Sequence, residues 1–385
     1  CVMKYLKYYI STVTLIVGFL LCLTGSNGPT LLFAGFSLLI IFSDILINEE
    51  NSKLEYSNTI YLNLPMYINL PLLIIFVFMA ISLLSQSLNV FILFPILSEV
   101  DFNQIKSSLH IIDKISLVAI SSLFIGVMGT VPGHELVHRK TNKFDMFIGN
   151  WLLSLSWDCA FAIEHVYGHH KNVGLKIDPA TAQRGENIYM FILKAIVNEQ
   201  KDAWKIVKKQ LKKSKKSLFF INNKLMVGYL RSAIISFLSY LIGGFSGLMF
   251  FFLCAFIAKA LLEVINYTEH YGLIRANGEP VQPHHSWNSN STMSSIYLYN
   301  VTRHSSHHEK ASMKYWELNP YKDAPMMPYG YLSMLYLALF LPPVFHKIMS
   351  KKLVDWDNKY ATKKEQALAS EQNKRSGVRY LQNNV

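Results

Sequence analysis

Long apolar runs separated by short polar segments dominate the first 270 residues of the chain. A helix needs about 20 mostly apolar residues to cross the hydrocarbon core of a bilayer. The first run is too long for a signal-peptide core, so we expect it to be retained as an anchor. The pattern predicts an all-α integral membrane protein with six transmembrane helices, near residues 9–24, 30–48, 66–85, 115–132, 226–245 and 246–266.

Several other segments have patterns that do not fit a membrane span. Residues 147–163 are apolar but short, which favours a re-entrant or interfacial helix. Residues 200–224 form a basic amphipathic pattern typical of a helix lying on an anionic lipid surface, and 327–348 predict a second interfacial element. Residues 351–385 are polar and predict a partly disordered C-terminal tail.

The distribution of basic residues predicts the orientation of the chain in the membrane. Lys4 and Lys7 precede the first span, and residues 139–224 contain sixteen Lys and Arg. Cytoplasmic loops of membrane proteins are enriched in these residues. We therefore expect one membrane domain over residues 1–350, with its termini and an insertion at 133–225 in the cytoplasm, in the inner membrane of the cell.

Composition agrees with a membrane protein and narrows its redox chemistry. The 385 residues are 51% hydrophobic and 16% charged, whereas soluble proteins carry about 25% charged residues. The four cysteines form no CxxC pair, so disulfides, thiolate zinc sites and a fused rubredoxin or ferredoxin module are not expected. Electrons for any redox reaction would have to come from another protein.

Histidine carries the candidate chemistry. Three short motifs, HELVH, EHVYGHH and RHSSHH, and one isolated position in NYTEHYG lie at the ends of apolar helices, all on the predicted cytoplasmic side. Neutral imidazole binds transition metals such as iron, and side chains four residues apart share a helix face. Because two histidines are adjacent in EHVYGHH, the ring of the neighbouring histidine could bind a second metal ion. The candidate metal ligands are His134, His138, His165, His169, His170, His270, His304, His307 and His308.

Three other interpretations of these motifs are possible. HExxH is also the zinc-protease signature, with Glu135 as the base, but here it accompanies further histidine motifs. Unrelated polar histidines at a helix end would explain HELVH alone, but they explain less well a second motif thirty residues later. A metal transporter would place its ligands near the bilayer midplane rather than at one face.

Residues beside the motifs have predicted supporting roles. Glu135, Glu164 and Glu269 are expected to accept hydrogen bonds from imidazole N–H groups and so fix their tautomers, although simple solvation of a helix end is the alternative. Pro132 and Gly133 should loosen or end the regular hydrogen-bond ladder of the fourth span.

Four histidines lie outside the motifs and are not expected to bind metal. His284 and His285 are adjacent, but they follow Pro283, which disfavours a preceding helix, so we assign them to a loop near the entrance. His284 and His285 also have no histidine partner three or four residues upstream, and His110 and His346 likewise lie outside the motifs.

Taken together, HELVH, EHVYGHH followed by DPATAQRGE, NYTEHYGLIR and NSNSTMSSIYLYNVTRHSSHH resemble the successive motifs of the membrane-bound alkane 1-monooxygenases. That family belongs to the histidine-rich di-iron superfamily of membrane fatty-acid desaturases and hydroxylases. The fourth motif, NYTEHYGLIR, favours the alkane enzymes, because ordinary desaturases have three histidine boxes. Asp44 lies where the family has an acidic residue closing the second helix.

The resemblance implies six transmembrane helices and two non-haem irons held by the nine motif histidines. It further implies O2-dependent hydroxylation of the terminal carbon of medium- or long-chain alkanes, with electrons from an acidic rubredoxin that is itself reduced by a rubredoxin reductase. The substrate would come from the lipid phase, and no nucleic acid is involved. A fatty-acid desaturase or hydroxylase, or a xylene-type methyl monooxygenase, stays open as an alternative.

Overall fold

The computed structural model describes residues 3–85, 100–218 and 223–384, and this part of the chain is helical. Its one β-type pairing is an isolated bridge between Asn288 and Met326. The α-helices of seven or more residues are Ile10–Leu23, Gly28–Leu46, Ile60–Leu84, Phe102–Ser108, Ile111–Phe124, Val131–Val137, Lys143–Ser154, Ile188–Lys213, Lys224–His270, Tyr331–Phe340, Pro342–Lys359 and Lys363–Arg375.

Five helical stretches of the described residues are long and apolar enough to cross a membrane. The first four correspond to predicted spans. The third begins at Ile60 instead of near residue 66, and Pro65 and Pro71 lie inside the helix. Prolines are tolerated inside membrane helices where neighbouring groups satisfy the freed carbonyls. The prediction of a multi-pass helical membrane protein is therefore confirmed, with the stretches Lys4–Leu23, Gly28–Leu46, Ile60–Leu84, Ile111–Val137 and Lys224–His270.

The fifth stretch contains both of the last two predicted spans. Gly244 interrupts it with a backbone conformation of φ 58° and ψ −152°, which is open to glycine and strained for other residues. A Cβ on Gly247 would lie 2.6 Å from the carbonyl oxygen of Ser239, whereas eight residues of continuous helix would separate them by about 12 Å. The chain therefore reverses at Gly244, and two antiparallel limbs form a helical hairpin.

The described residues divide into two compact units, and the helices Gly28–Leu46 and Lys224–His270 contribute to both. In the first unit, polar side chains inside apolar helices pair with one another: Thr12 donates to Asn69 over 2.8 Å, and Thr30 donates to Asp113 over 2.6 Å. The first unit comprises residues 3–39, 56–85, 100–159 and 223–259; the second comprises 40–55, 160–218 and 260–384.

Asp44 is the centre of a buried hydrogen-bond cluster in the second unit. Its carboxylate accepts from the hydroxyl groups of Ser291, Ser294 and Ser333, at 2.5 to 2.8 Å. Gly330 packs directly against it, since a Cβ there would lie 2.2 Å from the carboxylate carbon. Asp44 thus joins the end of the helix Gly28–Leu46 to the segment that precedes the RHSSHH motif.

The C-terminal segment corrects one prediction. Residues 351–384 are largely helical instead of partly disordered, and the predicted boundary at 350/351 falls inside the helix Pro342–Lys359. Trp356 is fully buried, and Arg184 makes two hydrogen bonds to Asp357, at 2.6 and 2.7 Å. The prediction was wrong because it used the average polarity of the segment, whereas a few apolar and charged residues are enough to pack these helices against the rest of the second unit.

The segments predicted to be interfacial are helical, with bounds that differ from the prediction. The apolar run 147–163 is two helical pieces, because the chain turns between Ser154 and Phe161 with Trp157 at φ 55°. The basic helix begins at Ile188, where Asn187 caps it, and ends at Lys213; residues 219–222 of the prediction lie outside the described residues. Pro342 starts a new helix and so divides the element predicted at 327–348.

Candidate metal centre

Two π-helical segments position the first two histidine motifs. Residues Ile125–Thr130 are π-helical immediately before the helix of HELVH, and His165–His169 are π-helical within EHVYGHH. The backbone hydrogen-bond ladder of the fourth span is therefore irregular in the turn before Pro132, in agreement with the expected loosening. A regular α-helix, which includes Pro132, begins at Val131. Single π-helical turns are rare and occur frequently at functional sites.

The second π-helix changes which histidines share a face. The His170 N–H donates to the carbonyl of His165, five residues back, and the two Nε2 atoms are 3.2 Å apart. A regular helix would bring His165 close to His169; here the ring nitrogens of His165 approach those of His170 at i,i+5, while the rings of His165 and His169 stack with their centroids 5.1 Å apart. His169 is directed to a different set of imidazoles.

That set is a group of four buried histidines in the second unit. Their ligand nitrogens all lie within 4.8 Å of one another, and neighbouring Nε2 atoms are 3.0 and 3.1 Å apart. Two nitrogens bound in cis to one ion at about 2.1 Å would be separated by about 3 Å. The spacing therefore fits a single transition-metal ion held by His169, His270, His304 and His308.

His169 has a buried ring nitrogen that a bound metal would satisfy. Its Nδ1 lies 2.9 Å from Asp178, while its Nε2 is buried with no hydrogen-bond partner among the described residues. Thr181 also donates to the Asp178 carboxylate, over 2.6 Å. A carboxylate on the far nitrogen of a metal-binding imidazole fixes its tautomer and raises its basicity. Sequence reasoning missed this role of Asp178, although DPATAQRGE was part of the resemblance.

Backbone carbonyls hold two other members of the group in the same tautomer. His304 Nδ1 is 3.2 Å from the carbonyl of Val301, and His270 Nδ1 is 3.4 Å from that of His285. With Nδ1–H donated to a carbonyl, each Nε2 is the unprotonated nitrogen that can bind a metal.

A second group in the second unit contains His165, His170 and His307, with ligand nitrogens within 4.8 Å of one another. Phe161 stacks on His165 at a centroid distance of 4.4 Å. Burial, with a smaller contribution from His169, lowers the pKa of His307 to about 3. The pKa of His308 in the four-histidine group is also well below its ordinary value, because of burial and the neighbouring His304. At neutral pH these imidazoles have the uncharged form that binds metals.

The HELVH motif lies in the first unit. The Nε2 atoms of His134 and His138 are 3.0 Å apart, as the i,i+4 spacing predicts. Arg139, the next residue, pairs with Glu135 at 2.6 Å and with Asp145 at 3.2 Å.

The three glutamates beside the motifs have different surroundings. Glu269 lies 3.3 Å from the Nε2 of His304, which places its carboxylate at the four-histidine group. Glu164 packs against Gly168, where a Cβ would lie 2.4 Å from its Oε1, and Glu135 pairs with Arg139. Their roles remain predictions.

The rings of His346, His284 and His285 belong to neither of the two histidine groups. Both ring nitrogens of His346 contact tyrosine hydroxyls, those of Tyr271 at 2.9 Å and Tyr267 at 3.2 Å. His284 and His285 lie beside Glu365 in a third cluster, at 3.5 and 2.8 Å from its carboxylate oxygens.

The order of the histidine motifs and the helices that hold them match a known family. A family model for fatty acid desaturases matches residues 115–338, more than half of the chain. The chain belongs to the fatty acid desaturase family. This match includes all four histidine motifs, so the predicted superfamily is confirmed.

Curated relatives place the chain near the hydroxylases of this family. It is 37% identical to alkane 1-monooxygenase 2 of Alcanivorax borkumensis over 59% of this chain and 60% of the relative. It is 36% identical to alkane 1-monooxygenase 1 of Pseudomonas aeruginosa over 65% of each. The xylene/toluene monooxygenase hydroxylase component of Pseudomonas putida is 34% identical, over 67% of this chain and 70% of the relative. The chain thus spans less than two thirds of the length of the first two relatives.

Proposed function

We propose that this protein hydroxylates the terminal carbon of medium- or long-chain alkanes at a non-haem di-iron centre, using O2 and electrons from a rubredoxin-type donor. The observation that carries the proposal is the pair of histidine groups in the second unit, one of four imidazoles and one of three. The names of the curated relatives, alkane 1-monooxygenases, supply the reaction class.

Each iron has its own set of ligands in this proposal. His169, His270, His304 and His308 hold one iron, and His165, His170 and His307 contribute to the other. His134 and His138 supply the remaining ligands of the second iron. Their assignment rests on the motif resemblance and on the 3.0 Å approach of their Nε2 atoms.

When bound, the iron pair would supply the activation of O2 and the oxidation of an unactivated C–H bond. The chain's own residues hold and orient the ligands: Asp178 fixes the tautomer of His169, and backbone carbonyls fix those of His270 and His304. All four imidazoles of that group are buried, which excludes water from the site. A water-insoluble substrate would reach it from the lipid around the apolar helices, so that positioning governs the reaction.

A methyl group on an aromatic ring is the second candidate substrate. The similarity to the xylene/toluene hydroxylase component covers a larger share of that relative than the matches to the first alkane enzymes do. The purified protein should be supplied with reductant, O2 and an equimolar mixture of alkanes, xylenes and fatty acyl substrates, and its products identified by mass spectrometry. We expect 1-alkanols to predominate. Benzylic alcohols or unsaturated acyl chains in their place would contradict the alkane assignment.

The proposed orientation has six membrane crossings with the metal centre at the cytoplasmic face. The helical hairpin at Gly244 supports six crossings, because it divides the fifth long stretch into two limbs. The basic helix Ile188–Lys213 would then lie at the cytoplasmic surface, where lysines favour anionic lipids.

The same lysines offer a docking surface for an acidic electron donor. Exposed complementary charges raise association rates and are screened by salt. Turnover with a rubredoxin should therefore fall as ionic strength rises, while turnover with a small neutral reductant should not. Replacing the exposed Lys208 and Lys212 by Glu should weaken only the rubredoxin-supported reaction. Equal salt sensitivity with both reductants would argue against electrostatic docking.

A further inference from the structure

A short loop supports the segment that contains the metal ligand His270. The backbone N–H of Trp287 donates to the carbonyl of Glu269 over 2.9 Å, and its indole N–H donates to that of Tyr271, also over 2.9 Å. The carbonyl of His285 accepts from His270 Nδ1 at 3.4 Å. Residues 285–287 thus contact His270 and the residues on either side of it.

The C-terminal helices also form hydrogen bonds with this loop. Glu365, near the start of the helix Lys363–Arg375, accepts a hydrogen bond from His285 Nε2 over 2.8 Å. Trp356, in the helix Pro342–Lys359, donates its indole N–H to the carbonyl of His284 over 2.7 Å. Glu365, His285 and Trp356 are each at most 1% exposed, so water does not compete for these bonds.

The cluster of His284, His285 and Glu365 has ligand types suited to a metal, but its hydrogen bonds indicate another role. The backbone N–H of Gln282 donates to His285 Nδ1 over 2.9 Å, so that nitrogen has no proton. In a neutral imidazole the proton is then on Nε2, which donates it to Glu365. The Nε2 lone pair that a metal would need is therefore occupied by a proton.

The charge of Glu365 strengthens this contact. Burial opposes ionisation of the carboxyl, but the contacts with His284 and His285, together with two hydrogen bonds from Thr362, outweigh it and hold the pKa of Glu365 well below its ordinary value. A hydrogen bond to an ionised acceptor is about twice as strong as one between neutral groups.

We propose that Glu365 is a positioning residue for the metal centre, acting through the 284–287 loop to hold His270 in its metal-binding orientation. The inference rests on the proposed di-iron function, because it assigns His270 as a ligand. It gives the C-terminal helices a part in the site although they contribute no ligand to it. Removing a residue that hydrogen-bonds a metal ligand typically lowers metal affinity by about 10- to 100-fold. Glu365 is one residue further from the metal, because it contacts His270 through His285.

The test measures metal retention instead of turnover. The apo-protein in detergent is loaded with Co2+, its visible spectrum is recorded, and the release of Co2+ to excess EDTA is followed. Glu365→Ala should accelerate one of two release phases by about tenfold and change the cobalt spectrum. Glu365→Gln, which keeps an oxygen acceptor for His285, should restore most of the wild-type behaviour. Glu371→Ala, an exposed glutamate of the same helix, is the matched control.

The outcomes distinguish positioning by Glu365 from a general loss of the fold. Release and spectra of Glu365→Ala that equal those of Glu371→Ala would overturn the positioning role. If Glu365→Ala does not fold, Trp356→Phe is measured instead, since it keeps an aromatic ring but loses the hydrogen bond to the His284 carbonyl. Release of Co2+ from Trp356→Phe at the wild-type rate would overturn the positioning role. A wild-type protein that binds no Co2+ would overturn the metal centre itself, and the positioning role with it.

Discussion

Replacing His270 by Ala should abolish hydroxylation and remove about one of two irons from each chain. The side chain is fully buried, and its Nε2 lies 3.1 Å from that of His304 in the four-histidine group. Losing it opens a coordination position that neither water nor another side chain can readily fill in a closed site. Iron per chain, measured by mass spectrometry of the purified protein, and product formation are the two measurements.

The control variants are histidines outside the motifs. His110→Ala alters an exposed position in the first unit and should leave iron content and turnover unchanged. The double variant His284→Ala, His285→Ala should keep near-normal iron content when iron is in excess, with reduced turnover, since it removes support for His270 and no ligand. Full iron and activity in the His270 variant, with loss of both in the double variant, would show that the ligand assignment is wrong.

The adjacent residues His169 and His170 should serve different irons. The π-helix directs His170 toward His165 and directs His169 toward His270, His304 and His308. Each single replacement by Ala should leave about one iron and no hydroxylation, because one ligand set stays intact in each.

Double variants determine which residue belongs to which set. His169→Ala combined with His270→Ala alters one set twice, so about one iron should remain. His170→Ala combined with His270→Ala alters both sets, so almost no iron should remain. The reverse pattern would contradict the division of ligands made by the π-helix.

The metal-binding motifs could be predicted from sequence because they depend on local spacing. HELVH gives two imidazoles on one helical face, and the structure shows their Nε2 atoms 3.0 Å apart. The pairing within EHVYGHH could not be predicted, since a π-helical turn changes the face that His169 occupies. Pro132 indicated an irregular backbone in the first motif, but no proline marks the second.

The supporting contacts were harder to predict, because they join residues far apart in the chain. Glu365 contacts His285 across 80 positions, and Asp44 contacts Ser294 across 250. Composition was misleading at the C-terminus, where a polar sequence folds onto the second unit through Trp356 and Arg184. Membrane spans were more predictable, because the length of an apolar run alone indicates them. The exact position of the hairpin at Gly244 could be located only from the backbone conformation.

Iron content is the most direct test of the central claim, that two groups of imidazoles make this chain a di-iron oxygenase. The protein should be purified in an active form, and iron and zinc measured per chain together with the rate of alkane hydroxylation. The account predicts about two irons and no stoichiometric zinc, with activity proportional to iron content. One zinc and no iron in an active preparation would contradict it.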